Sequence, residues 1–368
     1  MNSTSNILFL LTRIGLGGKG VWSKEDQTAD WNAIIKLAAT QGVLAICWDG
    51  LQALIKLQQI PAEHLPSRDV LLRWAANVDS IERAYAKQKK ALSKLASFYS
   101  RNGFNMMLLK GYGLSLSYPI PEHRPCGDID IWLYGRQQEA DELLRRTHGV
   151  EISEDKHHHT TFNVNGILIE NHCHFLNIHT HNSNAEFEQI LQNYVASESG
   201  QVFDLDGSKI ILPSPNFNAL FLLRHMAGHF VTAETALRHL CDWAMFASKY
   251  GESIDWSKIN EIAKRFNLDR FLAIANRICV EHLNIPAEKF GNIISVDSAL
   301  TLRVLQDIIS PEFNQSCPSH SKIRVVIFRA KRWWAKRWKH RLVYNDSLIG
   351  IFFKRIIDYT CHPKSIWQ

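Results

Sequence analysis

The spacing of apolar residues predicts a chain that is mostly helical. From about Ser67 to Arg101, apolar side chains recur at intervals of three, four and seven residues, which is the period of one helix face. The Asn-Gly pair at 102–103 marks the expected end of this helix. Similar periodicity predicts further helices at 30–56, 216–230, 233–250, 255–266, 268–283 and 296–309.

A short block of strand patterns interrupts these helices. Residues 104–110 form a continuous apolar run, which is typical of a buried strand, and 128–134 alternate between apolar and polar positions. Two more pairs of apolar runs surround Asn165-Gly166 and Asp206-Gly207, dipeptides that favour tight hairpin turns. We therefore predict an α+β protein with a small mixed sheet. Its regions are an N-terminal helical part at 1–100, the sheet-containing core at 101–212, a C-terminal helical part at 213–310 and a last helical segment at 320–368.

Two aspartates stand one residue apart in the second predicted strand, 127-GDIDIW-132. Residues two apart on a strand share a face, so Asp128 and Asp130 point the same way, opposite Ile129 and Ile131. Two like charges on a buried strand are unfavourable unless a cation compensates them. Because Mg²⁺ is usually held by one or two carboxylates and substrate phosphates, the pair predicts a Mg²⁺ (or Mn²⁺) site.

A third carboxylate lies in the later run 167-ILIENHCHF-175. Glu170 alternates there with His172 and His174 on one face of the predicted strand. If this strand lies beside the aspartate strand, Glu170 completes a three-carboxylate site for metal-assisted phosphoryl transfer. The combination of a Lys-Gly turn, two paired aspartates and a later glutamate favours catalysis over a chance Asp-x-Asp sequence.

These segments resemble the nucleotidyltransferase fold of polymerase-β-like enzymes. In that fold a strand and a glycine turn precede a strand with two acids, and a third acid follows on a later strand. The matching segments are 108-LLKG-111, 127-GDIDIW-132 and 168-LIEN-171. More narrowly, the chain is similar to a bacterial family of uncharacterised nucleotidyltransferases over about residues 30–285, including Tyr118-Pro119 and Arg124.

The resemblance implies a role for each matching residue. Asp128, Asp130 and Glu170 are expected to be catalytic and to hold the metal. The expected nucleotide-binding residues are Lys110, Gly111, Ser115, Arg124 and His172. The implied reaction moves a nucleoside monophosphate from an NTP donor to an unknown hydroxyl or phosphate acceptor. Tyr112 stands where many members of the wider fold have serine or glycine, which keeps open a non-catalytic nucleotide-binding or regulatory module.

Other sequence features predict the class and location of the protein. Histidines are dense between 157 and 181, and their His-x-His spacings leave a metal-dependent hydrolase as a less favoured alternative. Seven scattered cysteines without a Cys-x-x-Cys pair predict reduced thiols in a cytoplasmic protein. We expect neither a signal peptide nor a membrane span, since no apolar run reaches the roughly 20 residues that a span requires.

The positive charge is concentrated near the C-terminus. Residues 322–355 contain eleven Lys or Arg and one acid, whereas the whole chain has a net charge of +6. In 322-KIRVVIFRAKRWWAKRWKHRLVY-344 the cations alternate with tryptophans. This composition suits a peripheral contact with an anionic membrane surface or a contact with nucleic acid. It equally suits tryptophans packed on the preceding helices, and all three interpretations stay open.

Overall fold

The computed structural model describes residues 2–23, 29–154, 158–179, 181–232, 235–292, 294–313, 317, 322–347 and 350. Within these ranges, fourteen α-helices and one six-stranded mixed sheet form an α+β fold that is mostly helical. The predicted fold class is therefore confirmed. Residues 320–321, 348–349 and 351–368 of the last predicted segment, and His157 of the histidine-rich stretch, lie outside the described residues.

The helices precede, accompany and follow the strands along the chain. Those before the sheet are α1 (Ser3–Gly15), α2 (Trp31–Thr40), α3 (Leu44–Lys56) and α4 (Arg68–Arg101). Those among the strands are α5 (Tyr112–Ser115), α6 (Gln137–His148) and α7 (Asn182–Ser197). Those after the sheet are α8 (Pro215–Val231), α9 (Leu237–Tyr250), α10 (Trp256–Arg265), α11 (Asp269–Leu283), α12 (Ser298–Ile309), α13 (Lys322–Ala335) and α14 (Arg337–Val343). None of the helices in the described part of the chain has the length and apolar character needed to cross a membrane.

The sheet combines parallel and antiparallel pairs. Its strands are β1 (Met107–Leu108), β2 (Ile129–Trp132), β3 (His159–Val164), β4 (Ile167–His172), β5 (Gln201–Leu205) and β6 (Ser208–Leu212). Their order is β3-β4-β2-β1-β6-β5. Both predicted hairpins form, because Asn165-Gly166 and Asp206-Gly207 adopt the positive φ angles that such turns need. The strand β2 pairs with β4 in parallel and with β1 in antiparallel fashion.

The two faces of β2 contact different parts of the protein. Ile129 and Ile131 are buried in a core shared with α4, where Leu92 and Tyr99 lie. Trp132 points the other way and packs on Phe175, with ring centroids 4.8 Å apart, in the core of the helical regions. Asp128 and Asp130 share the face of Trp132, since alternate residues of a strand point the same way. The aspartates therefore face the helices that follow the sheet.

Several predicted boundaries differ from the structure. The helix α4 extends from Arg68 to Arg101 as predicted, capped by Ser67 and followed by Gly103 at φ +72°. The strand predicted over 104–110 is limited to Met107–Leu108, because Phe104 is still bonded to the end of α4 through Tyr99. The helix predicted from residue 233 begins at Leu237, whose N–H is capped by the side chain of Gln41.

His123 joins the segment before β2 to two N-terminal helices. Its Nδ1 lies 2.7 Å from Asp49 of α3, and its Nε2 lies 2.8 Å from Glu82 of α4. Burial lowers the pKa of His123, but both carboxylates raise it further, so the net pKa is above the usual value. The protonated ring therefore contributes stability below its unfolded pKa of about 6.5, and this contribution disappears as the pH rises through the higher folded pKa.

We expect His123→Gln to lower the free energy of unfolding by about 2 kcal/mol near pH 6. The difference from the wild type should become smaller at alkaline pH, where the wild-type ring has also lost its charge. Urea denaturation of both proteins between pH 6 and pH 9 measures this. A difference that stays constant over this range would show that His123 contributes through packing and not through its charge.

The basic C-terminal segment packs partly on the helical region. The Trp338 ring lies 5.5 Å from Phe230 and 4.1 Å from the guanidinium carbon of Arg303. Lys339 is buried and forms an ion pair with Asp307. The outward face of α13 includes Ile327, Trp334 and their cationic neighbours Arg324 and Lys331, all of which are exposed. Part of the segment therefore contributes to the core, and contact with a membrane or nucleic acid stays a prediction for the rest.

Candidate active site

Three carboxylates converge on the face of the sheet that points toward the helices. Parallel pairing places Asp130 of β2 directly beside Glu170 of β4. Asp128 precedes β2 on the same face, and one oxygen of each of the three side chains lies within 4.8 Å of the other two. The sequence predicted this grouping on the condition that the two strands were neighbours, and the structure meets that condition.

A lysine and a glycine form the turn beside these carboxylates. The strand β1 is held next to β2 by a hydrogen bond from Leu109 N–H to the Asp130 carbonyl (3.0 Å). Lys110 then extends over the face and places Nζ 2.9 Å from Oδ1 of Asp130. Gly111 has φ +62° and ψ −113°, a conformation that residues with a Cβ rarely adopt. Glycine therefore lets the chain turn away immediately after the lysine.

Gln88 of α4 fixes the backbone that carries the first aspartate. Its Nε2 donates hydrogen bonds to the carbonyls of Gly127 (3.2 Å) and Asp128 (2.9 Å). The side chain is 1% exposed, so water does not compete for these contacts. A residue of the long N-terminal helix thus positions the entry to β2, which the sequence did not predict.

The charges of the two aspartates are balanced differently. Burial raises the pKa of Asp130, but Lys110 and His172 lower it more strongly, so this carboxylate is held ionised. Burial and the neighbouring Asp130 raise the pKa of Asp128, and Lys110 compensates only in part. The ionised form of Asp128 is therefore less fully stabilised by the surrounding protein than that of Asp130.

Two histidines lie opposite each other beside Glu170. His159 of β3 and His172 of β4 are cross-strand partners, and their ring centroids are 5.1 Å apart. The Nε2 of His172 donates to Oδ1 of Asp130 (3.1 Å), and its Nδ1 donates to the His174 carbonyl (3.0 Å). Burial lowers the pKa of His172, but Asp130 and Glu170 raise it, to about 9 overall. His172 was predicted as a site residue, whereas His159 was not distinguished from its neighbours.

Asp128 and Glu170 line a cavity of about 530 Å³ between the sheet and the helices, and the fully buried Asp130 lies beside them without lining it. The sheet side contributes Lys110, Gly111, Asp128 and Glu170. The opposite wall belongs to α8 and α9 and is formed by Leu222, His225, Met226, His229, Arg238, His239, Asp242 and Trp243. The volume of the cavity suits a small-molecule substrate. Burial lowers the pKa of His225, His229 and His239, so these rings are neutral hydrogen-bonding groups at neutral pH.

Comparison with known proteins supports the family suggested by the sequence. Residues 27–284 match the family described as uncharacterised nucleotidyltransferase. The chain belongs to this nucleotidyltransferase family. No curated protein matches the chain significantly. An antigenic nucleotidyltransferase-like protein from Paracoccidioides brasiliensis has a solved structure that matches 57% of this chain and 99% of its own, with 13% identity and a TM-score of 0.36.

Arg124, a predicted phosphate ligand, is paired within the protein. Its Nε and Nη2 donate to the two carboxylate oxygens of Asp242 at 2.7 and 2.9 Å. Tyr118 donates to the same carboxylate (2.7 Å). Arg124 still lines the cavity, but its bidentate partner is a carboxylate of α9. Direct contact between Arg124 and a nucleotide stays a prediction.

Ser115 and Tyr112 point away from the cavity. The Ser115 hydroxyl donates to the carbonyl of Tyr112 (2.7 Å) and lies 2.9 Å from the hydroxyl of Tyr85. The Tyr112 ring is buried and stacks on Tyr85, with centroids 5.1 Å apart. The structure therefore does not bring Ser115 together with the other predicted residues. It also places the bulky Tyr112 behind the turn, where the ring does not obstruct the cavity.

Arg238 is a cavity residue that the sequence did not predict as functional. It is the second residue of α9, and its buried Nε has no hydrogen-bond partner among the described residues. The nearby carboxylate of Asp242 is already bonded to Arg124 and Tyr118. The sequence around Arg238, 237-LRHLCD-242, is typical of an ordinary amphipathic helix. Only the packing of α9 against the sheet shows that Arg238 lines the cavity.

Proposed function

We propose that this protein transfers a nucleoside monophosphate from an NTP to an acceptor in a reaction that depends on Mg²⁺. The single observation that supports this most is the convergence of Asp128, Asp130 and Glu170 beside Lys110 at the wall of the cavity. Family membership supports the reaction class, and the metal, the nucleotide and the acceptor are further parts of the proposal.

The residues fit a hard divalent cation. The donor set is three carboxylates, which Mg²⁺ prefers over nitrogen or sulfur ligands. Asp130 is fully buried, and its Oδ2 has no hydrogen-bond partner among the described residues. Such a buried acceptor is unfavourable unless something outside the protein satisfies it. When bound, Mg²⁺ would polarise the phosphates and neutralise the charge that develops on them.

The residues of the chain itself would bind and orient the substrates. Lys110 would contact the phosphates from the end of β1, and Gly111 would let them approach the backbone closely. Asp130 would keep Lys110 oriented through their 2.9 Å contact. Glu170 would hold the metal or accept the proton of an attacking hydroxyl group. The acceptor would bind against the wall formed by α8 and α9, where neutral histidines offer hydrogen bonds.

Arg238 would bind a phosphate of the NTP from the helical side of the cavity. A guanidinium presents donors in a planar fork that matches phosphate oxygens. Arg238 also stands in the first turn of α9, which has no acidic residue, so the helix dipole favours an anion there. Lys110 and Arg238 would therefore hold the phosphates from opposite walls.

We expect Arg238→Met to weaken Mg²⁺-dependent NTP binding about tenfold or more, since a charged hydrogen bond contributes about 1.5–3 kcal/mol. The methionine retains the aliphatic part of the side chain, so thermal stability should change little. The matched control is Arg146→Met, which removes an exposed arginine of α6. Unchanged nucleotide affinity in Arg238→Met would remove this residue from the phosphate site.

The overall proposal is tested by calorimetric titration of ATP, GTP, CTP and UTP, each with and without Mg²⁺. We expect one of them to bind only when Mg²⁺ is present and to identify the donor. That nucleotide is then used in a pyrophosphate-release assay with candidate hydroxyl and phosphate acceptors. If no nucleotide binds under either condition, the proposed reaction is wrong and the alternative of a binding module for another ligand is favoured.

A further inference from the structure

A second group of metal-ligating side chains lies beside the three carboxylates and shares one of them. It consists of His159, Glu170 and His172, and one ligand atom of each lies within 4.8 Å of the other two. Glu170 directs Oε1 toward His159 and Oε2 toward His172. All three side chains occupy one face of the β3-β4 hairpin, because His159 and His172 are direct cross-strand partners and Glu170 is two residues from His172.

The separations in this group are those of ligands around one ion. His159 Nε2 lies 3.5 Å from Glu170 Oε1, and His172 Nε2 lies 3.7 Å from Glu170 Oε2. Both distances exceed the 2.7–3.2 Å or so of a normal N–H···O hydrogen bond. Two ligand atoms that each lie about 2.1 Å from the same ion are about 3.4 Å apart in a tetrahedral arrangement. The distances between the glutamate and the two histidines therefore fit ligands of a shared cation better than they fit direct hydrogen bonds.

The surroundings of His172 fix the orientation that a metal ligand needs. Its Nδ1 donates to the backbone carbonyl of His174 at 3.0 Å, and its Nε2 faces Glu170 and Asp130. An ion would replace the proton that Nε2 donates to Asp130 at 3.1 Å, because a histidine binds a metal only through a deprotonated nitrogen. A hydrogen bond from the second ring nitrogen to a carbonyl is the usual support of a metal-binding histidine. Both histidines are almost completely buried, at 3% exposure for His159 and 4% for His172, so their rings are held in place by packing.

We propose that His159, Glu170 and His172 form a second metal site, which takes a borderline divalent cation such as Co²⁺ or Zn²⁺. Imidazole nitrogens select such ions, whereas Mg²⁺ prefers an all-oxygen set. This inference deepens the proposed function, since Glu170 would bridge this ion and the Mg²⁺ held by the aspartates. The protein would then have two chemically different metal positions side by side, with Glu170 common to both.

The test uses Co²⁺, whose visible absorption reports imidazole and carboxylate ligands directly. We expect metal-free wild-type protein in a Mg²⁺-containing buffer to bind one equivalent of Co²⁺ with a visible absorption band. His159→Phe, which keeps an aromatic ring, and His172→Gln should each weaken this binding at least about tenfold. His174→Phe is the matched control, because His174 belongs to the same segment but its ring is near Glu188.

A second measurement covers the case in which a variant folds poorly. Proton NMR of the wild-type protein loaded with Co²⁺ should show strongly shifted imidazole N–H signals. Their absence, or Co²⁺ affinity that is the same in folded His159→Phe as in the wild type, would overturn the site. Asp128→Asn should retain Co²⁺ binding, because it leaves the histidines and Glu170 intact. Mg²⁺-dependent nucleotide binding is measured separately, and its failure in the wild type would contradict the proposed function and not this site.

Discussion

Asp128→Asn is expected to lower Mg²⁺-dependent nucleotide affinity and transferase activity by at least about 100-fold. The substitution keeps the shape of the side chain and removes the negative charge that the metal would use. It leaves Asp130, which pairs with Lys110 and His172, untouched. Isothermal titration of the cognate NTP with Mg²⁺, followed by the pyrophosphate-release assay, measures both losses.

The same substitution should leave the fold as stable as before or more stable. The raised pKa of Asp128 means that its ionised form is less favourable in the folded chain than in the unfolded chain, so the charge opposes folding above its unfolded pKa. Removing the charge at pH 7 should therefore keep or raise the urea midpoint while activity disappears. Such an opposition between stability and activity is typical of functional residues.

A matched control for this experiment is Asp79→Asn. Asp79 lies on the exposed face of α4 and forms an i,i+4 ion pair with Arg83. We expect this variant to bind the nucleotide normally, since an exposed pair contributes little. Full activity of Asp128→Asn would show that Asp128 does not hold a catalytic metal.

The carboxylate face was predictable because it depends on a local rule. If 127-GDIDIW-132 forms a strand, both aspartates lie on the same face, however the rest of the chain folds. Predicting that Glu170 joins the aspartates also required that β2 and β4 be neighbours, which no local sequence pattern indicates. The family resemblance predicted only a third acid on a later strand, and the pairing of Asp130 with Glu170 shows that this strand lies next to β2.

The helical wall of the cavity was not predictable in the same way. Arg238, His225 and His229 lie on helices whose patterns indicate only that one side is buried. Which side faces the sheet depends on contacts between distant segments, such as the bond from Leu237 N–H to Gln41. The helix α7 was missed altogether, because only a few of its residues, including Phe187 and Leu191, are buried, and its apolar periodicity is correspondingly weak.

Arg124 has a contact within the protein that the sequence did not predict. Its position before β2 and its side-chain chemistry both suggested contact with phosphate. The structure instead gives it a bidentate carboxylate partner on α9, a helix far away in sequence. The sequence did not predict this pairing, because it depends on how the helical region packs against the sheet.

Asp242→Ala is therefore expected to destabilise the protein by about 3–5 kcal/mol, since it leaves the buried guanidinium of Arg124 without a counter-charge. Arg124 is 6% exposed and Asp242 is 7% exposed, so water cannot replace the lost carboxylate easily. The hydroxyl of Tyr118 would lose its acceptor as well. Urea denaturation at pH 7 measures the loss of unfolding free energy.

The double variant Arg124→Met/Asp242→Leu separates stability from nucleotide binding. Replacing both charges with apolar side chains of similar size should restore most of the stability, because no unpaired charge stays buried. If Arg124 acts only by holding the segment before β2 against α9, this variant should bind the NTP with nearly wild-type affinity. A loss of about tenfold or more in a variant of normal stability would instead show that Arg124 also contacts phosphate. The comparison decides whether the cavity binds its anion through Lys110 and Arg238 alone or through three cations, one of which is shared with Asp242.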